Sequence, residues 1–125
     1  MKTIKQHHFI NAMPEEVFTA ITNPLTIELW SGYPAEMQPL EETEFSIFEG
    51  EISGRNLSVI QNQKLVQEWY FGDNTIKSIV TITLKPSGKG THVDLEHTNV
   101  PESDVENIEE GWKSYYWGAI KKYFK

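Results

Sequence analysis

The longest regular pattern of apolar residues lies at the end of the chain. Between Pro101 and Phe124, apolar side chains recur at intervals of three and four residues, which is the spacing that lines one face of an α-helix. Ser103 and Glu106 have the S-x-x-E spacing of a capping box, so the helix is predicted to begin just after Pro101. The predicted buried stripe consists of Val105, Ile108, Trp112, Tyr115, Ala119 and Tyr123.

The preceding residues alternate between apolar and polar, which is typical of β-strands. Two short helical patterns interrupt the alternation after the first strand: one begins at Pro14, and the other covers Leu25–Trp30 with Asn23 or Thr22 near its cap. Turns are predicted at 72–74 and 86–90, and Gly54 is predicted to mark a bulge or a close approach of two backbones. The predicted strands are 4–10, 35–40 (a weak pattern), 44–48, 51–61, 65–71, 78–84 and 91–98.

These elements predict an α+β fold. One-sided alternation is typical of an antiparallel sheet with one covered face, and an aromatic helix must bury its stripe against another element. We therefore predict a curved antiparallel sheet of six to seven strands wrapped around a long C-terminal helix. The two short helices after the first strand would close one end of it.

Composition narrows the class of protein further. The 125 residues predict one domain, and four Trp, five Tyr and six Phe predict an aromatic core. The chain has no cysteine, which excludes disulfides and thiol catalysis. No signal peptide or membrane-spanning run is visible, so we expect a cytoplasmic location. The net charge of −7 disfavours nucleic acid and anionic membranes as partners.

Several short motifs, in the same order, resemble a known family over nearly the whole chain. The residues are Pro14-Glu15-Glu16-Val17-Phe18 with Ala20, Thr22 and Pro24; Gly50 and Gly54; Val66 and Trp69; Val100-Pro101; Gly111-Trp112 with Tyr115-Tyr116; and Ile120-Lys121. This set resembles the C-terminal-type domain of the activator of Hsp90 ATPase, in the START-like or Bet v 1-like superfamily. Glu42-Thr43-Glu44-Phe45 departs from the family pattern, which often has two glycines before the phenylalanine.

The resemblance implies a helix-grip fold and a single START-like domain over residues 1–125. It also implies a non-catalytic role, with an Hsp90-type chaperone as the partner whose ATPase-competent state would be stabilised. The eukaryotic activators carry a separate N-terminal domain, which this chain is too short to include, so the resemblance implies the fold more directly than chaperone activation.

The aromatic residues allow two interpretations. They form the core, or they line a cavity for a small apolar ligand between the sheet and the C-terminal helix, which is the alternative function. Gly111 and Gly118 likewise let the helix approach the sheet closely or leave space for a ligand. The candidate cavity-lining residues are Trp30, Trp69, His97, Trp112, Tyr115 and Tyr116.

No motif for catalysis, cofactor binding or metal binding is found in the sequence. The four histidines have no H-E-x-x-H spacing, and no P-loop, dinucleotide fingerprint or nucleophile motif occurs. We therefore predict no catalytic, cofactor-binding or metal-binding residues. A third hypothesis, an enzyme of the cyclase or hydratase kind, would require His8, His97 and Tyr116 to point into one cavity.

Overall fold

The computed structural model describes residues 1–71 and 77–125, and the described residues form one antiparallel sheet of six strands with helices before and after it. The strand order in the sheet is β1-β6-β5-β4-β3-β2, so β1 and β2 are the edges. The predicted turn at 72–74 lies outside the described residues. The elements are β1 (Lys2–Ile10), α1 (Pro14–Thr22), α2 (Pro24–Ser31), β2 (Glu44–Ile47), a 3₁₀ helix (Phe48–Gly50), β3 (Ile52–Ile60), β4 (Lys64–Trp69), β5 (Ser78–Ser87), β6 (Gly90–Val100), α3 (Val105–Glu110), a π-helix (Gly111–Tyr116) and α4 (Trp117–Tyr123).

Local sequence signals explain the bounds of the two short helices. Pro14 occupies the first position of α1, and the side chain of Glu16 accepts a hydrogen bond from the Met13 amide at 3.2 Å. Asn23 separates the two helices, and its Oδ1 accepts from the Thr26 amide at 3.0 Å, which confirms it as the cap of α2. Gly32 ends α2 with φ +83°.

The inward face of the sheet consists of alternate apolar residues, which fits the alternation seen in the sequence. Val80, Ile82 and Leu84 of β5 are buried, as are Val93 and Leu95 of β6. They pack against the two short helices and the C-terminal helix in one continuous core. The helix-grip architecture predicted from the sequence is therefore confirmed.

The predicted weak strand at 35–40 is wrong. Only one bridge forms in this region, between Glu36 and Ser46. Pro34 and Pro39 lack an amide proton, so the segment cannot sustain a ladder of hydrogen bonds. The sheet accordingly has six strands in the described part of the chain.

Gly54 marks a close approach of two backbones, as predicted. A Cβ atom built on it would lie 1.9 Å from the carbonyl oxygen of Glu68 on β4. A residue with a side chain therefore does not fit there without moving a strand. The irregularity in the β3–β4 pairing occurs elsewhere, between Asn56 and Ser58.

The C-terminal helix, residues 105–123, contains a π-helical segment in its middle. The amide of Trp117 donates to the carbonyl oxygen of Trp112, five residues earlier. The helix begins at Val105 with Asp104 as its N-cap, and the Asp104 side chain makes no capping bond. The capping box predicted from Ser103 and Glu106 is therefore wrong.

The π segment changes which side chains are buried. Trp112, Tyr116, Trp117 and Ile120 are buried, whereas Tyr115 is 70% exposed. The predicted stripe is correct at Trp112 but wrong at Tyr115 and at Tyr123, which is 43% exposed. A regular α-helix would place Trp117 on a different side from Trp112, yet Trp117 is fully buried. Because each π turn contains an extra residue, Trp117 shares the buried face with Trp112.

The two helix glycines differ, and neither packs closely against the sheet. Among the described residues, a Cβ atom on Gly111 would meet nothing within 4 Å. A Cβ atom on Gly118 would lie 2.8 Å from the carbonyl oxygen of Lys113, in the π segment of the same helix. Gly118 is therefore required by the helix's own backbone.

We expect the two glycines to respond oppositely to alanine. Gly118→Ala should lower the free energy of unfolding by about 1–3 kcal/mol, because the methyl group meets the Lys113 carbonyl. Gly111→Ala, the matched control, should raise it by up to about 1 kcal/mol through helix propensity. Urea unfolding of both variants measures this. Equal stabilisation by both substitutions would contradict the π-helical geometry.

Candidate ligand and partner groove

A groove with a volume of about 1090 Å³ lies between α2, the C-terminal helix and the adjoining ends of β3 and β4. Trp69 and Phe71 lie on one wall, and Trp30 and Phe48 on another. The C-terminal helix contributes Ile108, Gly111, Trp112, Tyr115, Tyr116 and Ala119. The π segment thus supplies much of the helical wall.

Indole N–H groups along the groove are bonded inside the protein. Trp30 Nε1 donates to the Ala20 carbonyl oxygen at 2.7 Å, and Trp69 Nε1 donates to Gln67 Oε1 at 3.0 Å. Trp112 Nε1 donates to His97 Nδ1 at 3.0 Å. Because these donors are used internally, the three residues present carbon surface rather than free N–H groups to the groove.

The Trp112 bond belongs to a polar chain that joins the C-terminal helix to the sheet. His97 Nδ1 accepts from Trp112, so the ring proton lies on Nε2 and is donated to Ser78 Oγ at 2.8 Å. Ser78 Oγ in turn donates to the Thr98 carbonyl oxygen at 3.0 Å. His97 is fully buried, and burial lowers its pKa to about 4, which keeps the ring neutral at pH 7.

A second buried chain fixes Trp69. Gln67 accepts from the Trp69 indole through Oε1 and donates through Nε2 to Asn56 Oδ1 at 2.9 Å. Asn56 Nδ2 donates to the Gln38 carbonyl oxygen at 3.0 Å. The irregular segment after α2 is thereby tied to β3 and β4, and the Trp69 ring is held in one orientation.

Most of the residues predicted to line a cavity come together at this groove. Trp30, Trp69, Trp112, Tyr115 and Tyr116 are all on its walls. Trp69 stacks on Trp112 with ring centroids 4.7 Å apart, and Tyr116 lies 4.6 Å from Trp112. The rings are thus core residues on one side and groove wall on the other.

His97 departs from the prediction because it does not line the groove. Its ring packs against Trp69, Phe71 and Trp112, at centroid distances of 5.0, 6.0 and 5.9 Å, and these rings take its place on the wall. Its hydrogen-bond partners are the Trp112 indole and the Ser78 hydroxyl.

Sequence reasoning missed several groove residues. Leu29 and Tyr33 contribute from α2 and the residues after it, and Phe48 contributes from the 3₁₀ helix. Leu29, Tyr33 and Tyr115 are exposed, so the rim of the groove presents apolar and aromatic side chains to solvent. The usable signal for Leu29 was an apolar side chain on the side of α2 away from the buried Ile27 and Trp30.

The three candidates for acid–base chemistry do not converge. Tyr116 lines the groove, and burial raises its pKa above the usual range, so its hydroxyl stays protonated. His97 is enclosed by aromatic rings. His8 lies in a separate, smaller cavity, where Lys121 Nζ donates to its Nδ1 at 3.0 Å. Among the described residues, these side chains therefore share no cavity.

The arrangement of the sheet and the helices defines the fold class of this protein. A curved antiparallel sheet around a C-terminal helix, with two short helices after β1, is the START-like helix-grip fold. The model of the family described as "Activator of Hsp90 ATPase homolog 1-like protein" matches residues 11–125. The chain belongs to that family.

Individual relatives agree with this assignment. The chain is 30% identical over 98% of its length to "Activator of 90 kDa heat shock protein ATPase homolog" from Dictyostelium discoideum. It is 26% identical over 89% of its length to homolog 1 from Homo sapiens. In both cases the match covers 33% of the relative, so the chain spans about a third of the length of these curated proteins.

A solved structure matches nearly end to end. The crystal structure of PFC0360w, an HSP90 activator from Plasmodium falciparum, superposes with a TM-score of 0.88 at 25% identity. The match covers 97% of this chain and 94% of that chain.

In the described residues, no helix is long and apolar enough to cross a membrane.

The buried neutral His97 predicts a pH dependence of stability. Its pKa is about 4 in the folded state and about 6.5 in the unfolded chain, so between these values only the unfolded chain binds the proton. Stability should therefore fall as the pH drops from about 6.5 to about 4. This group should account for roughly 2–3 kcal/mol of loss by pH 4.5.

Urea unfolding at pH 7 and pH 4.5 measures the effect, with His97→Gln as the comparison. The variant should be less stable than wild type at pH 7. Its stability should nevertheless fall less on acidification, since glutamine does not titrate. His8, whose pKa is also lowered to about 4 by burial and then by Lys121, is present in both proteins and cancels. Parallel pH profiles would contradict this description of His97.

Proposed function

We propose that this chain is a non-catalytic binding domain that contacts an Hsp90-type chaperone and raises its rate of ATP turnover. The observation that carries the proposal is the end-to-end match to an HSP90 activator whose matched chain is almost the same length. A cytoplasmic location, where such a chaperone would be met, belongs to the same proposal.

The exposed rim of the groove is the surface we assign to the chaperone. Tyr115 is 70% exposed and Leu29 is 68% exposed, and both stand beside the rigid cluster of Trp30, Trp112 and Tyr116. Exposed apolar groups beside a rigid support are typical of protein interaction sites. Exposed tyrosines are also frequent contributors to interface affinity.

ATP turnover by the cognate Hsp90, measured with and without this chain, tests the proposal. We expect turnover to rise with the wild-type chain. Tyr115→Ala should weaken binding at least about fivefold because it removes an interface anchor, with little effect on folding.

Ile60→Ala is the matched control, because Ile60 is an apolar residue 46% exposed on β3 outside the groove. It should leave both turnover and affinity unchanged. Absence of binding at tens of micromolar, or equal effects of the two substitutions, would overturn the proposal.

A second candidate function is the binding of a small apolar ligand in the same groove. It is supported by the groove's volume of about 1090 Å³ and by the internally bonded indole N–H groups of Trp30, Trp69 and Trp112. Ligand sites usually have volumes of about 300–1,000 Å³ and mostly apolar walls. The volume of this groove is slightly above that range, and the groove is open at its rim.

A naphthalene-based fluorescent probe distinguishes the two functions. Probe binding should be blocked by Gly111→Leu, because a side chain at this wall position enters open space. Lys113→Leu is the control, since it adds the same side chain at a position that lines the smaller cavity instead. A probe that does not bind, or that binds Gly111→Leu as tightly as wild type, would contradict ligand binding in the groove.

A further inference from the structure

Two histidines and an aspartate meet on the outward face of the sheet, between edge strand β1 and its neighbour β6. His7 of β1 is paired in register with Asp94 of β6, and Phe9 is paired with His92. Alternation along β6 places His92 and Asp94 on the face opposite to the buried Val93 and Leu95. The strand pairing therefore brings three potential metal ligands to one place.

The three side chains are already in contact. His7 Nδ1 lies 2.5 Å from Asp94 Oδ1, and His92 Nε2 lies 3.0 Å from the same oxygen. The two imidazole rings are stacked, with centroids 5.7 Å apart. One ligand atom from each residue lies within 4.8 Å of the others.

We propose that His7, His92 and Asp94 form a binding site for a divalent transition-metal ion of the zinc class. Imidazole nitrogen and carboxylate oxygen are the ligands that such ions take, with bonds of about 2.0–2.2 Å. Around a tetrahedral ion, bonds of that length place ligand atoms roughly 3.3–3.5 Å apart. The present separations of 2.5 and 3.0 Å need to open by less than about 1 Å, which side-chain rotation at the surface allows.

Exposure and charge favour an ion at this position. The side chains of His7 and His92 are 71% and 44% exposed, so an ion has access and solvent water can complete its coordination. The chain carries a net charge of −7, which attracts cations. Coordination would link the edge strand to its neighbour, so binding should stabilise the fold.

This site is separate from the groove, because none of its three residues lines the groove. The sequence alone does not indicate it, because metal-binding motifs are defined by ligands at short spacings. Here one ligand is 85 residues from the next in the chain, and only the β1–β6 register brings them together. Failure of this proposal would leave the chaperone proposal untouched.

Calorimetric titration of zinc chloride into the tag-free chain tests the site. We expect one ion to bind per chain, and Asp94→Asn and His92→Gln each to weaken binding at least about tenfold, because each removes a ligand. Glu96→Gln is the matched control, since Glu96 lies two residues from Asp94 on the same outward face and pairs with Lys5 rather than with the three ligands. The affinity of Glu96→Gln for zinc should stay within about twofold of the wild-type value, because a surface charge away from the site has little effect on binding.

Thermal unfolding gives a second readout. Excess zinc should raise the melting temperature of the wild-type chain and of Glu96→Gln, and raise that of Asp94→Asn much less. Absence of 1:1 binding to the wild-type chain would overturn the proposal. So would unchanged affinity in Asp94→Asn, or an equal loss in Glu96→Gln, which would indicate only general attraction of a cation.

Discussion

The hydrogen bond from the Trp112 indole to His97 Nδ1 is the constraint on which the centre of this structure depends. It joins the middle of the C-terminal helix to β6, and the bond from His97 to Ser78 extends the link to β5. Both rings are buried, so a lost partner would leave an unsatisfied polar group in the core, at a cost of about 1–3 kcal/mol. The bond therefore fixes where along the sheet the helix lies, which nonspecific apolar packing does not.

The π segment allows Trp112 to bond to His97 while Tyr116 and Trp117 are also buried in the core. The extra residue in the turn lets Trp112, Tyr116 and Trp117 share one face, and it sets Tyr115 outward at the rim of the groove. One backbone irregularity thus separates the anchoring rings from the exposed ring. Such π turns often occur near functional sites, and this one forms much of the helical wall of the groove.

The sequence was sufficient to predict the sheet faces and the helix-grip class, because alternation in β5 and β6 and the caps of α2 are local signals. It offered Trp112 and Tyr116 as candidates for a cavity wall, as the alternative to a purely structural role, and both line the groove. It did not predict the burial of Trp117 or the exposure of Tyr115, because periodicity rules assume 3.6 residues per turn. The cluster of His7, His92 and Asp94 depends on pairing between the two ends of the chain, which local patterns do not specify.

The most direct test of this account is an NMR measurement of scalar coupling across the hydrogen bond between Trp112 Nε1 and His97 Nδ1. At pH 7 the structure predicts a measurable coupling between these two nitrogens, together with a neutral His97 ring whose proton lies on Nε2. A ring proton on Nδ1, or a doubly protonated ring at that pH, would contradict the account. In that case the indole would have no acceptor at His97, and another interaction would have to hold the helix on the sheet.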